Sequence, residues 1–261
     1  MKQYKFYPSL LDKFKSFLNL DIEAFWWQDE RGGWHRNYDE NSGEYHYSAS
    51  EVEELAKQEL IDAINRVPFS SRAANMGTAF NNIVDYVING VNTSGTPIYI
   101  YDTYYCTTLD DEELKYDRNF IDGVAEYLKG SSSQIFCSAD ITTRYGVVTL
   151  YGYIDEIQRD KVIDLKFSKK YDFGNYKDGM QRHIYPYCLT EMGLVADIKE
   201  FEYCCYQHNN AEILNGVQFR EVYTYNHEDS KKCIREVCEK FIEFLEENKD
   251  KITDKKIFAN G

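Results

Sequence analysis

Residues 151–170, YGYIDEIQRDKVIDLKFSKK, hold two runs of alternating apolar side chains separated by four polar residues at 158–161. Runs of that length and period read as strands, and so short a polar break reads as a hairpin turn at Arg159 and Asp160. Pairing 147–157 with 161–168 about that turn sets position i opposite position 319−i, so Asp155 faces Asp164. Lys166 lies two residues beyond Asp164 and therefore shares its face. Facing side chains of such a pair start about 5 Å apart, and like charges there repel. Two readings follow. The face is an ordinary solvated side of a hairpin, or a divalent cation joins the two carboxylates. Mg²⁺ takes one or two carboxylates together with substrate phosphate oxygens. The Asp-x-Lys tripeptide alone decides nothing, because acidic-x-Lys also begins at Glu113, Asp197, Asp229, Glu247 and Asp254. Among these, Asp164 alone has both an apolar strand around it and a second acid across a tight turn.

The rest of the chain alternates helix and strand. Helical spacing marks 6–20, with Ser9 as its expected N-cap, and 50–66, with Ser50 and Glu53 as a capping box. Further helices are expected over 73–89, ending near Gly90, and over 110–129, where GSSS at 130–133 breaks the pattern. Strands are expected at 134–143, 147–157, 161–168, 199–206 and 217–225, with helices at 178–193 and 229–248. The segment 26–47 carries all three tryptophans among glycines and polar residues and reads as an exposed loop or irregular hairpin. The fold class is therefore α/β, a mixed sheet flanked by helices. One domain over 1–261 is expected. It comprises a mostly helical N-terminal extension (1–70), a core (71–228) and a C-terminal helix and tail (229–261).

Charge narrows the function. A net charge of −14 excludes coating of nucleic acid through a broad basic surface, so any contact with DNA must be local and cation-assisted. No apolar run approaches the roughly 18 residues that span a bilayer, and the N-terminal residues lack an apolar signal core. Seven cysteines, an odd number without framework spacing, point to a reducing cytoplasm. Cys204, Cys205 and His208 could suggest zinc, but adjacent cysteines on a strand point to opposite faces and packing is the stronger reading. No nucleophile-elbow or Cys–His signature and no phosphate-binding glycine loop is present.

Four segments in order resemble the PD-(D/E)XK nuclease superfamily, in its RecB-like branch of CRISPR-associated and phage exonucleases. MGTAFNNIVDYV (76–87) is similar to that branch's Gly-Thr helix, GYIDEI (152–157) to its second-motif strand, and VIDLKFS (162–168) to its Asp-x-Lys strand. QRHIYPY (181–187) is similar to its Gln-x-x-x-Tyr helix. The resemblance spans 76–187 and implies a restriction-endonuclease-like core with a helical N-terminal extension.

It further implies a Mg²⁺- or Mn²⁺-dependent deoxyribonuclease, leaning towards exonuclease action in phage or bacterial recombination and repair. Asp155, Asp164 and Lys166 would be catalytic. Asp155, Asp164, the backbone carbonyl of Leu165 and Asn81 would hold the metal. Gln181, Tyr185, Lys169 and Lys170 would contact DNA. Asn81 departs from the His or Glu usual at its position, and Asp85, one turn on, could compensate. The cysteines do not reproduce the spacing of the branch's iron–sulfur cluster, so no cluster is expected. DNA ends or single strands are the expected partners, with a recombination protein or further copies of the chain as candidates and no membrane. The expected compartment is the cytoplasm, that of a bacterial host for a phage-encoded protein. The rival reading keeps the fold and loses the chemistry, leaving an inactive module that binds DNA or protein.

Overall fold

The computed structural model describes residues 2–31, 33–195 and 197–258. In chain order the helices are α1 (Pro8–Leu18), α2 (Ala49–Ile64), α3 (Arg72–Asn89), α4 (Arg118–Tyr127), α5 (Gln181–Glu191) and α6 (His227–Glu247). The strands are β1 (Gln3–Phe6), β2 (Trp26–Gln28), β3 (Trp34–Arg36), β4 (Tyr38–Asp39), β5 (Glu44–Tyr45), β6 (Ile98–Ile100) and β7 (Tyr104–Leu109). There follow β8 (Glu112–Asp117), β9 (Ser132–Thr143), β10 (Gly146–Gln158), β11 (Lys161–Ser168), β12 (Glu200–His208), β13 (Ile213–Leu214) and β14 (Gly216–Thr224). The architecture is mixed α/β. No helix among the described residues is long and apolar enough to cross a membrane. The chain divides into two compact units, Met1–Pro68 with Ile141–Thr149 and Arg235–Gly261, and Phe69–Asp140 with Leu150–Ile234.

The first unit gathers an aromatic core. Phe6 and Phe14 each lie 4.9 Å from the Phe241 ring of α6, and all three are buried. Three such burials stabilise by about 1.5–3 kcal/mol each. Pro8 occupies the first turn of α1, where its missing N–H costs nothing, and no side chain caps the helix; Ser9 is not its cap. The capping box of α2 is built by Ser48 and Glu51, two residues before the expected pair. In the tryptophan segment β2–β3 and β4–β5 form two short hairpins. Trp27 stacks on His46 at 3.6 Å, while Trp26 and Trp34 stay exposed.

The second unit carries the expected site. Its main sheet runs β10–β11–β12–β14, with β9 beside β10. β10–β11 and β12–β14 are antiparallel, and β11–β12 are parallel, joined by the crossover helix α5. The register Glu156↔Ile163, Ile157↔Val162, Gln158↔Lys161 is the one inferred from the turn. Alternation along β11 sends Ile163 and Leu165 into a core with Met76, Phe80, Ile83 and Val84 of α3. Asp164 and Lys166 take the opposite face, where α5 begins.

One expectation fails here. Residues 110–129 are not a single helix. Glu112–Asp117 is a strand of a second sheet (β13–β8–β7–β6), and the helix starts at Arg118. Asp110 and Asp111, both at positive φ, turn β7 into β8, and Asp117 caps α4 through the Phe120 N–H. Cross-strand pairing with 104–109 outweighs the helical spacing of a short apolar set. By contrast, α3 ends as expected with Gly90 left-handed at φ 68°.

Candidate active site

The geometry starts at the end of the β10–β11 ladder. Carried one step beyond Glu156↔Ile163, the register sets Asp155 beside Asp164. There the Asp155 Oδ2 accepts the backbone N–H of Leu165 at 2.8 Å. Asp164 is buried, and its Oδ2 meets the Lys166 ammonium at 2.7 Å. Gln181, the first residue of α5, closes the group. Its amide donates to Asp164 Oδ1 at 2.6 Å, and its Oε1 accepts from Lys166 Nζ at 2.9 Å. An acid, a base and an amide thus fix one another in a ring at the carboxyl end of parallel strands, where sheets of this kind present ligand sites.

Lys166 keeps 26% of its side chain exposed, while its ammonium is held by Asp164 and Gln181. The rings of Tyr176 and Tyr203 lie 5.9 and 5.8 Å from its Nζ and confine it. Gly179 permits this packing, since a methyl group there would collide with the Tyr203 hydroxyl. Burial alone would lower the Lys166 ammonium, but Asp164 and Asp155 outweigh it and hold it above its ordinary value. Lys166 is therefore a fixed cation.

The acids shift the other way. Burial pushes Asp155 up, and the Asp164 charge adds to it against Lys166 and the Leu165 N–H. Asp164 is also raised by burial, with Lys166 and Gln181 opposing. On the other face of β10, Glu156 is fully buried, pushed up to about 7 by burial and accepting from Ser131 at 2.5 Å and Ser133 at 3.0 Å. Beside it Asp85 of α3 is pushed up to about 6 by burial. Asp85 Oδ1 and Glu156 Oε1 are buried without a hydrogen-bond donor. Two such acids can settle only by sharing a proton or by meeting a cation.

Among the expected residues, Asp164, Lys166 and Gln181 come together at 2.6–2.9 Å, and Asp155 is tied to the same strand through the Leu165 N–H at 2.8 Å. Tyr185, one turn along α5 and buried, joins them; burial and the Asp164 charge raise its hydroxyl, so it stays protonated. Leu165 contributes its N–H to Asp155. Asn81, one turn before Asp85 on α3, is half-buried and makes no hydrogen bond to the acids among the described residues. Lys169 and Lys170 follow β11 as exposed side chains, Lys170 paired with Asp172 at 2.8 Å. Sequence reasoning missed Glu156, although its parity with Ile154 put a carboxylate on the inward face of the strand.

A hard cation fits the donor set. Two carboxylates side by side are both raised by burial, Asp155 further by the Asp164 charge, with one lysine paired to Asp164, and two carboxylates are as many as Mg²⁺ usually takes from a protein. Among the described residues no group of three or more His, Cys, Asp or Glu side chains is arranged to hold a metal. Any ion here therefore depends on oxygens from backbone, water or substrate.

The sequence matches no family model and no curated protein. Among solved structures, that of SSO0001 is similar at 12% identity over 90% of this chain and 75% of that one, with a TM-score of 0.39. That of Rai1 from Scheffersomyces stipitis is similar at 12% identity over 94% and 61%, with a TM-score of 0.28. Likenesses this loose say nothing of function.

Proposed function

We propose that the chain is a metal-dependent nuclease that hydrolyses DNA phosphodiester bonds, acting from ends. The observation that carries this reading is the Asp164–Lys166–Gln181 ring beside an under-compensated Asp155. Asp155 and Asp164, with the Leu165 carbonyl, would hold Mg²⁺ or Mn²⁺. When bound, the ion polarises the phosphate and acidifies a water molecule. Lys166, held protonated, supports the charge that builds on the phosphate oxygens and cannot serve as the base. Gln181 keeps that ammonium aimed by tying it to Asp164. Tyr185 offers a phenol that remains a donor.

The acidic chain favours a narrow, end-directed site over sliding on duplex. Labelled linear and circular DNA, incubated with Mg²⁺ or Mn²⁺, tests the reading. Linear substrate should shorten from its ends, circular substrate should persist, and Lys166→Ala should cut the rate by at least about a hundredfold. Undiminished cleavage by that variant would reject the assignment.

One observation favours a second reading. Both Asp164 oxygens already have partners in Lys166 and Gln181. A non-catalytic module with an internally satisfied ring would bind nucleic acid or protein and cleave nothing with either metal.

A further inference from the structure

The loop from β11 to α5 carries a second feature. Phe173 is 87% exposed, an unusual position for so large an apolar ring, yet the backbone beneath it is anchored. The anchor is Glu221 of β14, itself only 3% exposed. Its Oε1 accepts from the Tyr171 hydroxyl at 2.8 Å and from the Gly174 N–H at 3.0 Å, and its Oε2 from the Tyr223 hydroxyl at 2.5 Å. Two of these bonds flank residue 173. Tyr171 also stacks on Phe219 at 4.5 Å, and Gly174 takes a left-handed turn at φ 84°. A buried carboxylate is thus committed to presenting an apolar ring to water, which folding alone does not reward.

The charges carried by the same loop bear on what the ring could meet. Lys169, Lys170 and Lys177 stand on this loop against Asp172 and Asp178, a local positive excess in a chain of net charge −14. Lys170 is paired with Asp172, whereas Lys169 and Lys177 are exposed and make no ion pair among the described residues. The loop leaves the strand of Asp164 and Lys166 and returns at Gln181, so both its ends are fixed to the candidate active site. Cations for phosphate and a rigid aromatic face for a base are the two parts of a single-strand binding surface.

Resting on the nuclease reading, we propose that Phe173 stacks on an unpaired nucleobase, with Lys169 and Lys177 on the adjoining phosphates. The substrate of the site is then a single-stranded end rather than a blunt duplex. Such stacking is sequence-tolerant, so the preference would be for strandedness and not for base.

The test is binding to the full chain with Ca²⁺ replacing the catalytic ion, using a single-stranded oligonucleotide with 2-aminopurine near its end and a blunt hairpin duplex of equal length. Phe173→Ala should weaken single-strand binding by about tenfold and duplex binding less than twofold. It should also abolish the quenching of 2-aminopurine that the wild type gives, and Phe173→Trp should restore both. Equal loss on both substrates, or no loss on either, would overturn the proposal, as would failure of the wild type to bind the single strand. Activity separates the two readings. Binding and quenching without cleavage would sink the nuclease assignment and leave the stacking surface standing. Cleavage with Phe173→Ala indistinguishable from wild type in affinity and quenching would sink the stacking surface alone.

Discussion

Two groups of acids, one on β12 and the other on β10, β11 and the adjacent helix α3, are treated in opposite ways. Glu202 on β12 is fully buried and receives a matched set of partners. Arg220 donates to both its oxygens at 2.8 Å, and Lys161 and the Tyr127 hydroxyl each lie at 2.7 Å. Burial would raise its carboxyl, but those hydrogen bonds hold it below the ordinary value. Asp155 and Asp164 share one lysine, and Asp85 and Glu156 pair with no cation among the described residues. The same chain that gives a structural acid two cations and a hydroxyl leaves its neighbours raised. Uncompensated buried charge is costly, so its concentration on and beside two strands makes this the candidate functional site.

The largest expected contrast is in activity. Asp155→Asn keeps an oxygen for the Leu165 N–H but removes the second charge. Cleavage should fall about a thousandfold, the several kcal/mol that a ligated cation supplies. Without metal the same variant should be at least as stable as wild type, because like-charge repulsion disappears. Mg²⁺ should raise the wild-type melting temperature and leave that of Asp155→Asn unmoved. A Mg²⁺ shift that survives in the variant would break the comparison.

Next in size is Glu202→Gln. Removing the buried acid of this ionic cluster strands Lys161, whose side chain is 15% exposed, and unpairs the exposed Arg220, at a cost of about 3 kcal/mol in unfolding free energy. Its Mg²⁺ response should match that of wild type. Loss of both stability and Mg²⁺ response would mean that the two acid groups are one system.

How far these regions could be read from the sequence differs too. The β10–β11 register followed from the turn alone, since shifting it by one residue would turn Val162 and Asp164 onto the other face. The placing of Gln181 against Asp164 and Lys166 came from a resemblance, because no periodicity tells where a crossover helix begins. The Glu202 cluster was not legible, for its partners Tyr127, Lys161 and Arg220 come from a helix end and two other strands, 18 to 75 residues away. The strand Glu112–Asp117 was misread because its spacing suits both periods and only its partner at 104–109 decides. The Phe173 anchor was equally hidden, resting on a glutamate 47 residues further on.

The pH dependence of stability, an effect shared between two acids, gives the sharpest sign. Glu202, held low, contributes stability that is present above its unfolded value and is lost as pH falls. Glu156 works in reverse. Its folded carboxyl is raised from 4.5 to about 7, so the folded state holds its proton more tightly and stability declines as pH rises from about 4.5 to about 7. At about 1.4 kcal/mol per pH unit the decline approaches about 3 kcal/mol, shared with Asp85 because the two titrate together. Glu156→Gln can still accept from Ser131 and Ser133 and can donate to Asp85. In chelator, urea unfolding should therefore show the variant more stable than wild type at pH 8 and level with it near pH 5. An unchanged pH slope in Glu156→Gln would mean that this acid is as well compensated as Glu202, and the contrast between the two regions would be lost.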